Sequence, residues 1–249
     1  MTNGNSPADI EWSQEVEAAA WIEKRLHPFG HNDIGSVVPE GFDSYVRLLH
    51  PCRSGPIGER VVRWSEVAQW SGRQVNGSIS FEELSKPSGP VHNPFPWFEE
   101  PEQGTLTRGD TEALVSILSA YTATPEQCWF CVWNGYGWDR HGPLHRRGTP
   151  KPEYLPDPIP AKVRNGRLVR LPGREYYLYR GPIAQALTFV DYERQSPNLW
   201  WPEDRLWCVA SEIDLCWTYV GGSRDMTDAI LSDDRLESVG VLICDPVVA

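Results

Sequence analysis

Residues 196–223 read SPNLWWPEDRLWCVASEIDLCWTYVGGS, and the fold class turns on how this stretch is divided. From Leu206 to Tyr219 residue character alternates with the period of a strand covered on one side, which predicts one long strand. Its core side would carry Trp207, Val209, Ser211, Ile213, Leu215 and Trp217; the other side carries Cys208, Ala210, Glu212, Asp214 and Cys216. Gly221-Gly222 reads as a turn, and Ser223 as the cap of a helix running to about Leu231. Upstream of the strand, Trp200-Trp201 reads as part of an aromatic loop between Asn198 and Pro202.

Strand signals recur on either side. VGVLIC at 239–244 predicts a short final strand, CWFCVW at 128–133 a buried one, and Tyr45–Leu49 another. Asn165-Gly166, between AKVR and RLVRL, suits a type I′ hairpin turn because both positions need φ > 0. That hairpin would put Arg164 and Arg167 at the surface. Helices are expected from Ser13 to about Leu26, in WSEVAQW behind a Ser65 cap, from Thr107 or Asp110 to Tyr121, and in PIAQALTF opened by Pro182. Strands mixed with helices and hairpins predict an α+β fold: a mostly antiparallel sheet with helices packed on it. Five prolines in residues 86–104 suggest a connection between two lobes, residues 1–85 and residues 105–249.

Composition bounds the function. Net charge is −11, which argues against generic binding to nucleic acid or an anionic membrane. The charge is uneven. Residues 140–174 hold nine Lys/Arg against two acids, a local +7, while the rest of the chain stands at −18. That basic segment could face an anionic ligand or an acidic protein partner, although charge runs more often simply solvate a surface. The sequence shows no apolar run of transmembrane length and no secretory leader at its start, so a cytoplasmic location and six reduced cysteines are expected. Twelve tryptophans predict a core anchored by indole hydrogen bonds.

The strings HP…VRWSEVA (50–68), TATPEQCWFCVWNGYG (122–137), YYLYRGP (176–182) and the 196–223 stretch resemble an actinobacterial family of conserved hypothetical proteins. That family has no assigned activity, so the resemblance implies no catalytic residue. The acidic, Trp-rich composition and helix-plus-sheet layout are also similar to intracellular immunity proteins of the SUKH kind, which implies partner binding.

No motif announces catalysis. Cys128-x-x-Cys131 lies in a strand, where residues i and i+3 face opposite sides and cannot share a metal. His141 and His145 have helical ligand spacing, but Gly142 and Pro143 break such a helix and Arg146-Arg147 would repel a cation. Val220-Gly-Gly-Ser223 lacks the lysine of a phosphate loop, and Asp225 and Asp228 follow it. Neither a cofactor nor a metal is expected. The candidate binding residues are Trp200, Trp201, Arg205, Glu212, Asp214 and Arg180, with the two acids close enough to share a cation. These residues point to a non-enzymatic binding module built around 196–205. The alternative is a small-molecule enzyme using acids and arginines in a cleft between the lobes.

Overall fold

The structure, a computed structural model, describes residues 11–28, 30–55, 60–90, 93–135, 161–190 and 195–247. Its strands are β1 (Glu11–Trp12), β2 (Ser44–Leu49), β3 (Cys52–Ser54), β4 (Arg60–Val62), β5 (Cys128–Trp133), β6 (Val169–Leu171), β7 (Arg174–Gly181), β8 (Leu199–Pro202), β9 (Cys208–Ala210), β10 (Trp217–Gly222) and β11 (Ser238–Val241). The helices are α1 (Ala20–Glu23), α2 (Trp64–Ser71), α3 (Phe81–Leu84), α4 (Arg108–Leu118), α5 (Ala161–Arg164), α6 (Gln185–Thr188) and α7 (Arg224–Leu231). Nine strands form one antiparallel sheet in the order β1-β7-β5-β8-β9-β10-β2-β11, with β6 also on β7. The fold is α+β, as the sequence predicts. Among the described residues no helix is long and apolar enough to cross a membrane.

Both faces of the sheet are covered. One carries Tyr45, Leu49, Trp129, Cys131, Leu178, Trp201 and Trp217 beneath the N-terminal helical turns, α2 and α3. The other carries Val46, Leu48, Phe130, Val132, Trp200 and Val220 beneath α4, α6 and α7. Double coverage explains why β5 and β8 read as unbroken apolar runs where a half-wet strand would alternate. It also places Cys128 and Cys131 in different cores. None of the six cysteines is in a disulfide.

Strand β2, next to the edge strand β11, comes from residues 1–85 yet pairs with β10 and β11 from residues 105–249. The two stretches expected as lobes therefore share one sheet. The proline-rich connection is fastened to the separate two-stranded β3–β4 sheet, with Phe98 and Glu99 donating their backbone N–H groups to the Arg53 carbonyl at 2.7 and 2.9 Å.

Several local expectations are corrected. The strand expected at 206–219 is a hairpin, β9 and β10, joined through residues 211–216 with a hydrogen-bonded turn, Leu215 N–H to Glu212 carbonyl at 3.1 Å. Apolar residues keep alternating through the turn because Leu215 and Trp217 both re-enter the same core. Gly221-Gly222 is not the turn; both residues belong to β10. A Cβ at Gly221 would collide with Phe42 and Tyr45, and one at Gly222 with Met226, so the bare backbone lets both layers close on the strand. Asn165-Gly166 ends α5, with Gly166 N–H on the Val163 carbonyl at 3.0 Å. The hairpin turn is instead Pro172-Gly173, where Gly173 adopts φ 77°, the second central position of a type II turn.

Helix starts vary in how they are capped. Ser223 and Thr107 accept from Met226 N–H and Asp110 N–H at 3.3 and 3.2 Å, as read from sequence. Ser65, by contrast, lies inside α2. The distant Glu237 carboxylate accepts from Trp64 N–H and Ser65 N–H at 2.6 and 2.7 Å. The indoles are also anchored differently from expectation. Trp64 donates to the His50 carbonyl at 2.8 Å and Trp129 to Glu203 Oε2 at 2.6 Å, but the buried Nε1 groups of Trp21, Trp200 and Trp207 meet no acceptor among the described residues. The indoles are also held by edge-to-face packing, as in Trp200–Trp207 at 5.4 Å and Trp64–Trp217 at 6.3 Å. Arg47 is buried among them at 1% exposure, its guanidinium 3.8 Å from the Trp217 ring centroid and 5.4 Å from that of Trp64.

Candidate functional site

Glu212 and Asp214 lie at the tip of the β9–β10 hairpin, and they do share a cation. Arg174, the first residue of β7, donates Nη2 to Glu212 Oε1 at 2.7 Å and to Asp214 Oδ2 at 2.9 Å. The clamp closes two hairpins on each other, because Arg174 directly follows the Pro172-Gly173 turn. Its side chain is 19% exposed and its guanidinium also lies 5.8 Å from the Trp133 ring centroid. Burial disfavours the guanidinium charge, but the two carboxylates outweigh it and hold Arg174 firmly protonated. The candidate arginines Arg180 and Arg205 are engaged elsewhere, Arg180 with Gln127 Oε1 at 3.4 Å and Arg205 over the Trp21 ring.

This clamp forms one wall of a cleft of about 240 Å³. Leu171, Tyr176, Leu199 and Ala210 floor it from the sheet, and the 26–37 loop forms the opposite rim through Leu26, Asn32 and Val37. Asn198 reaches it from a braced position: its side chain accepts from Trp133 N–H at 2.9 Å and donates to the Ser211 carbonyl at 3.1 Å. We expect replacement of both acids, Glu212→Gln with Asp214→Asn, to leave the protein folded and lower its stability by about 1 kcal/mol or less, since Asp214 is 74% exposed. Urea denaturation checks this, and a loss several times larger would mean that the clamp, not the core, holds the two hairpins together.

The remaining candidates lie elsewhere. Trp200 and Trp201, expected in a loop with one ring exposed, are both 0% exposed. They belong to β8 and point to opposite faces, Trp200 onto Phe130 and Trp207, Trp201 onto Trp21. The flanking Asn198 and Pro202 do not interrupt the strand, because Asn198 satisfies its neighbours' backbone and Pro202 ends the pairing. Arg205, at φ 57°, is exposed and sits 5.8 Å from the Trp21 ring centroid. Arg180 lies 5.0 Å from the Trp129 ring centroid, near the end of β7 away from the cleft. Of the basic segment, residues 140–160, including His141 and His145, lie outside the described residues. In the described part Arg167 pairs with Glu17 and Arg170 with Glu175.

Two further groupings lie outside the candidate set, although the aromatics Phe95, Trp97 and Phe98 among prolines do suggest a connection that packs down. The first is an aromatic platform on the proline-rich connection. Trp70, Phe95 and Trp97 cluster with ring centroids 4.8 to 5.3 Å apart, and Trp97 packs at 5.6 Å on Phe81 in the core. Trp70 Nε1 donates to the Asn93 carbonyl at 3.0 Å, pinning the segment. Phe95 and Phe98 nevertheless stand 61% and 78% exposed. A run of three aromatics among prolines was the available signal; it implies packing, and only Trp97 fully obeys.

The second grouping lies in the cleft-rim loop. His27 Nδ1 and His31 Nδ1 both approach Asp33 Oδ2, at 2.7 and 3.2 Å, and His27 Nε2 lies 3.3 Å from Glu40 Oε2. Hydrogen bonding to Asp33 raises the His27 pKa, against a smaller opposing effect of burial. Asp33 Oδ1 accepts from Ser36 N–H at 3.1 Å, so one carboxylate oxygen braces the loop and the other faces the imidazoles.

Fold and site together define an α+β protein whose doubly covered antiparallel sheet bears an acid–arginine cleft and a separate exposed aromatic platform. No family model matches the chain, and neither a curated protein nor a solved structure matches it.

Proposed function

We propose that this chain is a non-enzymatic, cytoplasmic partner-binding module of the immunity-like kind, and that it recognises its partner through the aromatic platform at residues 93–98. The observation that carries this reading is the exposure of Phe95 and Phe98 on a segment that hydrogen bonds hold in place. Large exposed aromatics on a monomeric surface mark contact sites, and a braced platform loses little conformational freedom on binding. Glu99 and Glu100 are exposed directly beside it, so the fitting partner is a protein with an apolar pocket rimmed by Lys or Arg. An anionic ligand at 140–174 is the weaker variant, because Arg167, Arg170 and Arg174 already have carboxylate partners.

The alternative of a small-molecule enzyme draws support from the cleft, where acids and an arginine converge. Against it, one guanidinium engages both carboxylates, so neither stands unpaired as a general base.

Affinity purification from the native cell, comparing wild type with Phe95→Ser/Phe98→Ser, tests the proposal. We expect one protein to be retained by the wild type, released at high salt, and lost from the variant, which stays folded with its melting temperature lowered by no more than about 5 °C through the lost Phe95 contacts with Trp70 and Trp97. A wild-type chain that emerges alone, or a partner that the variant retains, would overturn the assignment of this surface.

A further inference from the structure

The geometry points to a divalent transition-metal site, of the zinc-binding class, formed by His27, His31 and Asp33. Their donor atoms, Nδ1, Nδ1 and Oδ2, all lie within 4.8 Å of one another. The two shortest separations, 2.7 and 3.2 Å, are near the roughly 3.3 Å that a tetrahedral zinc with bonds of about 2.0–2.1 Å imposes on its ligands. Two imidazoles and one carboxylate suit zinc or another borderline divalent ion, whereas magnesium and calcium prefer all-oxygen sets.

Three features distinguish this grouping from a chance surface contact. First, both rings turn the same nitrogen toward one carboxylate oxygen, so three potential ligands share a single focus. Second, His27 Nε2 faces Glu40 Oε2 at 3.3 Å, which leaves Nδ1 as the coordinating nitrogen. A carboxylate on the far nitrogen is how metal sites orient a ligating imidazole. Third, the loop is built to hold this shape. The His27 ring lies so close over Gly35 that any Cβ there would collide with it. Asn32 takes a left-handed φ of 58°, and its carbonyl accepts from Val247 N–H at 2.8 Å. Ile34 and Gly35 donate to the Asp245 and Ile243 carbonyls, both at 3.0 Å, so the chain's C-terminal segment clamps the loop.

Three protein ligands leave a tetrahedral metal one open position, the arrangement of sites that take water or an exogenous donor. Gly30 and Asn32, which flank His31, line the 240 Å³ cleft, so the site lies in the loop that rims it. Binding displaces the Nδ1 protons that now point at Asp33, so uptake of the ion releases protons and weakens as pH falls.

The experiment is a titration of the untagged full chain with Zn²⁺ alone, read by calorimetry and by metal analysis after gel filtration. We expect one equivalent retained per chain. His31→Ala should weaken binding by about 100-fold while leaving the fold intact, because that side chain is 63% exposed. Glu40→Gln should weaken it by about tenfold through the loosened His27 ring. Cys244→Ser, which removes the exposed thiol, should change nothing. Absence of a retained equivalent, or equal affinity in wild type and His31→Ala, overturns the site; loss in Cys244→Ser would assign the ion to the thiol instead.

Discussion

Trp200→Ala and Trp201→Ala should each cost about 3–5 kcal/mol of stability, and the double variant should not fold. Each ring is fully buried, and removing a buried tryptophan forfeits its transfer free energy and leaves a cavity that its neighbours fill only in part. Although adjacent in sequence, the two act on different cores: Trp200 wedges between Phe130 and Trp207, and Trp201 meets Trp21 edge-on at 6.2 Å. With no shared contacts their losses should nearly add. The sum, about 6–10 kcal/mol, matches the entire stability of an ordinary folded chain. Urea denaturation of the single variants, and circular dichroism of the double, check this. A loss below about 1 kcal/mol for either ring would mean that the sheet does not depend on its doubly covered centre.

Acidification should destabilise the protein between pH 6.5 and 4 through His50. Burial, together with the nearby Arg47 charge and against a stabilising hydrogen bond to the Glu102 carbonyl, pushes its pKa down to about 4 from the usual 6.5. The Glu102 carbonyl can only accept, at 2.7 Å, so Nδ1 carries the proton. Nε2 then accepts from the Thr218 hydroxyl at 2.9 Å, and Thr218 in turn accepts from Ser211 at 2.6 Å. Protonation of His50 would force the Thr218 and Ser211 hydroxyls to reverse. The unfolded chain takes up the proton as pH falls through 6.5, and the folded one resists until about 4. His50's contribution is therefore complete above pH 6.5 and shrinks below it, by about 2 kcal/mol at pH 5 and 3 at pH 4. Burial also raises the pKa values of Asp110 and Glu102, so the comparison is with His50→Gln. The difference in urea midpoint between the two proteins should narrow steadily from pH 7 to pH 4. A difference independent of pH would show that His50 takes up its proton in the fold as readily as in the unfolded chain.

What was legible in the sequence follows a physical division. β5 and β2 were readable because a strand buried on both faces is a short apolar run, and nothing else near them competes. The caps Thr107 and Ser223 were readable because a hydroxyl at the first turn satisfies its own helix. The misreadings share another cause, namely that distant partners decide. Asn165-Gly166 has the chemistry of a hairpin turn, yet Val163 claims Gly166 while Pro172-Gly173 closes the pair. Gly221-Gly222 looks like a turn until Phe42, Tyr45 and Met226 are packed over it. The α2 start depends on Glu237, which no local pattern around Ser65 could reveal. In the cleft, Glu212 and Asp214 were correctly paired, on an incorrect strand. Their shared cation was missed because Arg174 ends the basic run and reads there as one solvated charge among nine. His27, His31 and Asp33 went unnoticed because Pro28 and Gly30 break any helical spacing, and the left-handed conformations of Gly30 and Asn32 are set by the folded loop.

The place of β2 in the sheet has a consequence for how the chain is made. Its hydrogen-bonding partners are β10 and β11, and the His50–Thr218 contact at its end closes a loop of 168 residues. During synthesis β2 leaves the ribosome with both edges bare, long before either neighbour exists. A high contact order of this kind implies slow folding, and it delays the β10–β2–β11 side of the sheet until residues 217–241 have been made. A ribosome that stalls after β9 would release a chain with an unpaired, apolar Tyr45–Leu49, a ready template for aggregation and a mark for proteolysis.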